Sequence, residues 1–509
     1  MESVVWNNAR NDNEMRQLRE HPMFLNAPAL SLEKSRLLDE VRWRLQSLPE
    51  HEPGLALDEI AAGIELMLEG TDWSVHELST ALREFDESAQ PVIRQAVKGF
   101  LQSAALGTGR GEVLHAASTR LFGAVVEAGH AILQRQRYAP AIQPDAAAEI
   151  AARLMRAETG RLKWAHLLYG PYDDALWQQM GAVFLEAEED GRLMLPVHLR
   201  QGRDTETSTY REYLRAVALQ CSGLEQMPVE LVDVADRLIL HLLPALHLGA
   251  GPVEGARFFV SPILGGAPRR LVKALSAEEP AWYFSPLLAD RVLGELEAML
   301  KKGVIPSGLG DGPVAKEHIA ACIRHFRRTW YDTPAARRHR RHAMDGKLSA
   351  VRGVLSFNQI LSGGTSGDIA TWELRDVSLS GLGALAPVSE FGMPRIGELV
   401  AVRSEDAAPW RLGMVRRIQR GDLSRAFVGI ETFALEPRVV RADDGRAPME
   451  VLLCDPLRRG AQLRVVAPAG VLRSSAPLFV AEQGSIQKLK PIGAAWRGHE
   501  FEVRTYVAV

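Results

Sequence analysis

The stretch Thr371-Trp372-Glu373-Leu374-Arg375-Asp376-Val377-Ser378-Leu379-Ser380-Gly381-Leu382-Gly383 decides the fold of the second half of the chain. Trp372 and Leu374 alternate with the polar Thr371, Glu373 and Arg375, the period of a half-buried strand. Asp376, Ser378 and Gly381 then mark a strand end and a reversal. Short polar side chains bend the backbone, and glycine lets it turn and lets a ligand come close. The same residues would also serve a plain strand–turn–strand connection. Outward from this stretch, β-type runs recur over 350–360, 370–374, 398–403, 411–418 and 427–433, separated by Gly- and Asp-containing turns such as Gly421-Asp422. That spacing predicts a small antiparallel barrel or sandwich. Further β-like runs at 449–453, 462–466, 478–480 and 500–509 predict a β-rich C-terminal extension.

Before residue 330 the apolar period is helical. Leu37, Leu38, Val41 and Leu45 share one face, and the segment 57–68 repeats the pattern before Gly70. Similar segments follow at 74–86, 90–105, 112–136, 144–158, 172–190, 208–221, 229–247 and 287–302, punctuated by Pro140, Gly170-Pro171, Pro196 and Gly251-Pro252. The apolar run 238–253 contains His241, Pro244 and His247 and reads as a buried helix ending at Gly249 or Gly251, too short to span a bilayer. The expected fold class is therefore multidomain α + β. A large all-helical N-terminal region (1–320) is followed by an arginine-rich linker (321–345), an antiparallel β-barrel (346–435) and the β-rich C-terminal extension (436–509).

The 509 residues are 46% hydrophobic and 24% charged, an ordinary globular composition. Net charge is −3, which gives no overall basic field for nucleic acid or anionic lipid. The figure hides an asymmetry: 324–432 carries 17 Lys+Arg against 11 Asp+Glu, a local +6 that leaves −9 elsewhere. Three scattered cysteines (Cys221, Cys322, Cys454) form neither a zinc ribbon nor a disulfide framework and fit a reducing, cytoplasmic setting. No signal peptide is expected at the N-terminus. HExxH, Walker A and GxSxG signatures are absent, and Gly107-Thr108-Gly109-Arg110-Gly111 lacks the dinucleotide-fingerprint spacing. No catalytic activity, cofactor or metal is expected.

The informative charges are Arg324, Arg327, Arg328, Arg337, Arg338, Arg340 and Arg341. Guanidiniums gathered this closely repel one another unless anions or solvent intervene. Each offers a planar fork of donors suited to phosphate and a flat face for stacking. A solvated basic helix would look the same. Aromatic interleaving is thin (Phe326, Trp330, Tyr331), which argues against a nucleic-acid platform, so no DNA partner is expected.

Arg337-Arg338-His339-Arg340-Arg341 supplies RxxxR ahead of the first strand, and Asp376 to Gly381 supplies DxSxxG after a later one. Together they resemble the PilZ domain, the bacterial receptor module for cyclic di-GMP, over roughly a fifth of the chain. Trp410–Ile418 and Val428–Ile430 look like its later strands. The resemblance implies a PilZ-like barrel and no catalysis. It implies that Arg337 and Arg341 grip phosphates and guanine edges, with Arg338 in support. Asp376 would accept from a guanine, and Ser378 and the Gly381 backbone would close around the base. It also implies a second-messenger effector that orders its arginine segment on binding and addresses a protein partner through the helical region. The alternative is a PilZ-like interaction protein that no longer binds nucleotide. The Gly-rich segment Ser362–Asp368, which lengthens the gap between the motifs, favours that alternative.

Overall fold

The computed structural model describes residues 40, 43, 45–49, 51–69, 73–106, 110–138, 144–199, 206–273, 275, 279–332, 339–363, 369–388, 392–405, 409–422, 424–482 and 485–509. Ten helices and eighteen strands run through them. Helices α1 (Pro53–Glu69), α2 (Val75–Leu106), α3 (Arg110–Tyr138), α4 (Pro144–Leu167) and α5 (Asp174–Glu189) come first. The ribbon β1 (Val197–His198) and β2 (Glu206–Thr207) separates them from α6 (Thr209–Cys221) and α7 (Val232–Leu242). Each helix forms for the reason the periodicity gave. In α1, Leu57, Ile60, Ala61, Ile64 and Met67 are all buried on one stripe. The Asp173 side chain caps α5 by accepting from Ala175 N, and Ser208 caps α6 by accepting from Arg211 N.

The sequence predicts an all-helical region, and the structure corrects this: six short strands run among its helices. Helix α2 runs unbroken through Pro91, where the periodicity predicts separate segments at 74–86 and 90–105. The helix predicted to end at Gly249 or Gly251 stops at Leu242, and His247–Gly249 instead forms β3. Pro244 ends the helix, since it has no N–H to donate and clashes with the preceding turn. β3 joins β4 (Phe258–Ser261), β5 (Gly266–Arg270) and β6 (Trp282–Ser285) in a sheet of order β3-β6-β4-β5. Phe258, Val260 and Phe284 bury its inner face in the helical core, where Trp282 meets Phe184 edge-on. Helices α8 (Ala289–Lys301) and α9 (Gly312–Trp330) complete the region.

The first barrel follows. Strands β7 (His342–Arg352), β8 (Ala370–Ser378), β9 (Gly381–Pro387), β10 (Leu399–Ser404), β11 (Arg411–Arg420) and β12 (Arg425–Ala434) close in the order β7-β8-β9-β12-β11-β10. All pairs are antiparallel. The first strand begins earlier than the 350–360 run suggested, and 354–361 is a helix, α10 (Val354–Leu361). Gly353, at φ 81°, breaks the strand, and Val354 and Phe357 sit at helical spacing on the buried side.

The C-terminal extension is a second closed barrel. Strands β13 (Arg438–Asp443), β14 (Pro448–Leu453), β15 (Gln462–Pro468), β16 (Leu478–Glu482), β17 (Ser485–Arg497) and β18 (Phe501–Ala508) close in the order β13-β14-β15-β18-β17-β16. Numbered within each barrel, the circuit is the same: first, second, third, sixth, fifth, fourth. The barrels also share a core. Val351, Phe357 and Leu412 of the first pack with Leu452, Val466 and Phe501 of the second, and His499 N donates to Gly397 O at 2.7 Å.

The helical region meets the first barrel where Arg395 Nη2 donates to Ala104 O at 3.2 Å and, more deeply, at a joint around Tyr169. Tyr169, 3% exposed, belongs to that barrel's core rather than to the helical one. Its hydroxyl donates to Met227 O at 2.7 Å, and its carbonyl accepts from Arg420 N at 2.6 Å. Arg417, one side of the joint, faces Glu225 at 3.8 Å.

Candidate ligand-binding site

The arginines of the basic stretch divide between two elements. Arg324, Arg327 and Arg328 stand on α9. Arg327 is spent on Asp290 (3.2 Å) and Glu297 (2.8 Å), and Arg328 donates to His325 Nδ1. Arg340 and Arg341 lie immediately before β7, exposed. Arg337 and Arg338 lie outside the described residues, as does most of the Ser362–Asp368 segment.

Strand register carries Arg341 to Asp376. β7 pairs with β8 through His342 opposite Val377 and Ala343 opposite Asp376, so the residue before β7 stands beside the last turn-ward residues of β8. Arg341 Nη1 lies 3.2 Å from Asp376 Oδ2. The pair is open to solvent: 42% of the arginine side chain and 21% of the aspartate side chain are exposed. The same Nη1 lies 3.2 Å from Asp376 Oδ1, an ion-pair contact without hydrogen-bond geometry. A bulge between Leu374 and Asp376 on the β8–β9 side turns the aspartate outward from the regular ladder.

Ser378 and Gly381 face each other across a two-residue hairpin, and Ser378 Oγ donates to Gly381 O at 3.1 Å. Gly381 has a structural reason of its own. A Cβ there would sit inside van der Waals contact of the Ile430 carbonyl on β12. Gly381→Val is expected to cost about 1–3 kcal/mol in chemical unfolding, as overpacking against backbone does. An unchanged midpoint would show that β12 yields freely.

One member of the site was missed from the sequence. A Cβ on Gly383 would meet Phe427 Cζ at 2.6 Å and Asp376 Oδ2 at 2.8 Å, so the aromatic ring and the carboxylate both lean over that glycine. Phe427 stands on the outward side of β12, between the buried Ala426 and Val428. An aromatic on the solvent phase of a strand, opposite a glycine, is the signal that could have found it. The site thus combines a cation, a carboxylate, a hydroxyl-closed turn and a flat apolar face at one barrel end. Its arginine side leads directly into the segment joining α9 to β7.

Among the described residues no group of three or more His, Cys, Asp or Glu is arranged to hold a metal ion. No helix of the described residues is long and apolar enough to cross a membrane. No curated protein and no solved structure matches the chain. Residues 39–252, which hold α1 to α7 and end before either barrel, match the family described as the cyclic-di-GMP receptor FimW, N-terminal domain, and the similarity covers that segment alone.

Proposed function

We propose that the chain is a cyclic di-GMP-binding effector, without catalysis, whose first barrel is of the PilZ kind and holds the dinucleotide at Arg341, Asp376, Ser378 and Gly381. Arg337 and Arg338 would join from the segment ahead of β7. The observation that carries the reading is the meeting of Arg341 and Asp376 beside the hairpin and the Phe427 ring. The family matched by the helical segment supports it independently. The ligand chemistry fits. Phosphates take the guanidinium, Asp376 accepts from a guanine N–H edge, and Phe427 offers a stacking face.

Magnitudes favour ligand over the resident ion pair. An exposed pair is worth about 0–1 kcal/mol. A hydrogen bond to a charged phosphate contributes about 1.5–3 kcal/mol. An incoming dinucleotide therefore draws Arg341 away from Asp376 at little cost. Because the arginine segment connects α9 to β7 along the chain, a ligand held there would reset how the helical region meets the barrel and what partner it presents. On this reading the working units are the helical region, the arginine segment, the ligand barrel and the C-terminal barrel, in a cytoplasmic protein.

Calorimetric titration of cyclic di-GMP into the intact chain and into Arg341→Ala tests the reading. Binding by the intact chain, weakened about 10- to 100-fold in the variant with an unchanged unfolding midpoint, is expected. An intact chain that takes up no dinucleotide sinks it. The second reading, a barrel that serves only as an interaction module, is favoured by the self-satisfied Arg341–Asp376 pair. It predicts a protein partner whose capture is indifferent to the nucleotide.

A further inference from the structure

Between α2 and the helices α4, α6 and α7 lies an open cleft of about 1200 Å³. Every residue lining it except His318 falls within the family-matched segment, and none belongs to a barrel. We propose that this cleft is a second ligand site, built for a small molecule that carries a phosphate or pyrophosphate on an apolar body. The inference stands apart from the barrel site.

The cleft is lined by many charges, but most of them are already spent. Lys163 Nζ sits 2.6 Å from Asp233 and 2.9 Å from Asp236. Arg215 Nη2 lies 2.8 Å from Asp236, and Arg237 Nη2 lies 3.0 Å from Asp233. Arg156 pairs with Asp86, and Glu212 faces Arg215 at 3.5 Å. These pairs leave the floor electrically satisfied and stiff. Glu206 and Glu230, the lining carboxylates without an ion pair among the described residues, stand on the wall opposite α2.

The cations left over are on α2 and α6. Arg94 and Lys98, four residues apart on α2, line the cleft and make no ion pair with any described residue. Across the gap, Arg211 donates through Nη1 to the Glu206 carbonyl and keeps its other donors free. Between these cations the α2 wall is apolar (Ile93, Val97 and Leu101), and Leu240 and Leu243 face it. A cleft with free cations at its mouth, an apolar wall and a neutralised floor suits an anionic head on an apolar or ring-shaped body. Such pockets place a few polar groups on a mainly apolar surface. Guanidinium and ammonium together suit phosphate oxygens: the first as a fork, the second as a point charge.

The test uses the full chain in an Arg341→Ala background, which weakens the barrel site. Pyrophosphate and ADP are titrated at low salt into that chain, into Arg94→Ala/Lys98→Ala on the same background, and into a Lys301→Ala/Lys302→Ala control. Arg94, Lys98, Lys301 and Lys302 are all exposed, so the variants should fold, which the unfolding midpoint verifies. The expected result is binding by the background chain, tighter for ADP than for pyrophosphate. The α2 variant should lose about 10- to 100-fold and the control nothing. No binding of either probe by the background chain overturns the proposal, and so does an equal loss in the control. Cyclic di-GMP in the same background separates the ligand sources. Residual binding lost with Arg94 and Lys98 assigns the dinucleotide to the cleft as well, and ADP binding without it assigns another phosphate compound. Because Arg341 is already removed, failure here leaves the barrel reading untouched.

Discussion

Asp236→Ala is expected to destabilise the helical region by about 3–5 kcal/mol, the cost of stranding buried charges without their partner. Asp236 is 2% exposed and holds two cations at once, Arg215 through both carboxylate oxygens and Lys163 through Oδ2. Burial alone would raise its carboxyl, but Arg215 and Lys163 outweigh that and hold it well below the usual carboxylate range. The same balance lowers Asp233, where Lys163 and Arg237 oppose burial. Removing Asp236 leaves Arg215 with only Glu212 at 3.5 Å, and Lys163 with only Asp233. The sign with pH follows from the lowered carboxyls. Unfolded aspartate titrates near about 3.9. Between that value and the lower folded one, the unfolded chain binds more protons, so stability falls as pH drops through this window. The network's contribution is therefore fully present near neutrality and lost in acid. Urea unfolding of both chains at pH 7 and pH 3 checks this. The gap between them should be widest at pH 7 and should shrink at pH 3. A variant within 1 kcal/mol of the intact chain at pH 7 would mean that water, not protein, compensates the cations.

The first barrel was legible because its signals are local. Alternation at 398–403, 411–418 and 427–433 corresponds to β10, β11 and β12 almost residue for residue, and each run is bounded by a turn. Where local signals compete, reading is harder. In 350–360 an apolar stretch rich in β-branched residues hides the change of period at Gly353, and only Val354 and Phe357 betray α10. Sheet β3-β6-β4-β5 was illegible for a different reason. Its strands are three to five residues long, and β3 finds its partner β6 across an intervening hairpin. Closure of the C-terminal strands into a second barrel depends on β15 meeting β18 and β13 meeting β16, pairings between distant segments that no window of sequence displays.

The candidate site was legible in its chemistry and not in its assembly. Arg341 and Asp376 are thirty-five residues apart and meet only through the β7–β8 register. Along the sequence, seven arginines between 324 and 341 form one basic cluster. The fold separates them, because α9 places Arg327 against the carboxylates of α8, while Arg341 is delivered to the barrel. Phe427 entered the site because Gly383 leaves room above the sheet, a relation between two strands. The cleft charges on α2, α4 and α7 lie far apart along the chain. Only the bundle turns them into a satisfied floor with Arg94 and Lys98 unmatched.

Gly170→Ala should loosen the joint between the helical region and the first barrel. Gly170 sits at φ 109°, a backbone conformation that L side chains rarely adopt, and a Cβ there would stand 2.5 Å from the Arg420 carbonyl. The strained backbone costs about 1–3 kcal/mol and the clash with β11 a similar amount. The clash is with backbone, so no rotamer relieves it. Relief comes only by drawing the loop off β11, which also withdraws Tyr169 from the barrel core and breaks the Arg420 N to Tyr169 O bond. We therefore expect a loss of about 2–5 kcal/mol in the coupled unfolding transition, with the barrels and the helical region melting separately. Tyr169→Phe is the mild counterpart. It keeps the ring in the barrel and removes only the hydroxyl's bond to Met227, worth about 1 kcal/mol. If dinucleotide binding at Arg341 is transmitted to the helices through this joint, Gly170→Ala keeps its affinity for cyclic di-GMP and loses the ligand-induced change in hydrogen exchange along α4. Retention of both the single transition and the exchange change would show that the two regions communicate through the segment between α9 and β7 instead.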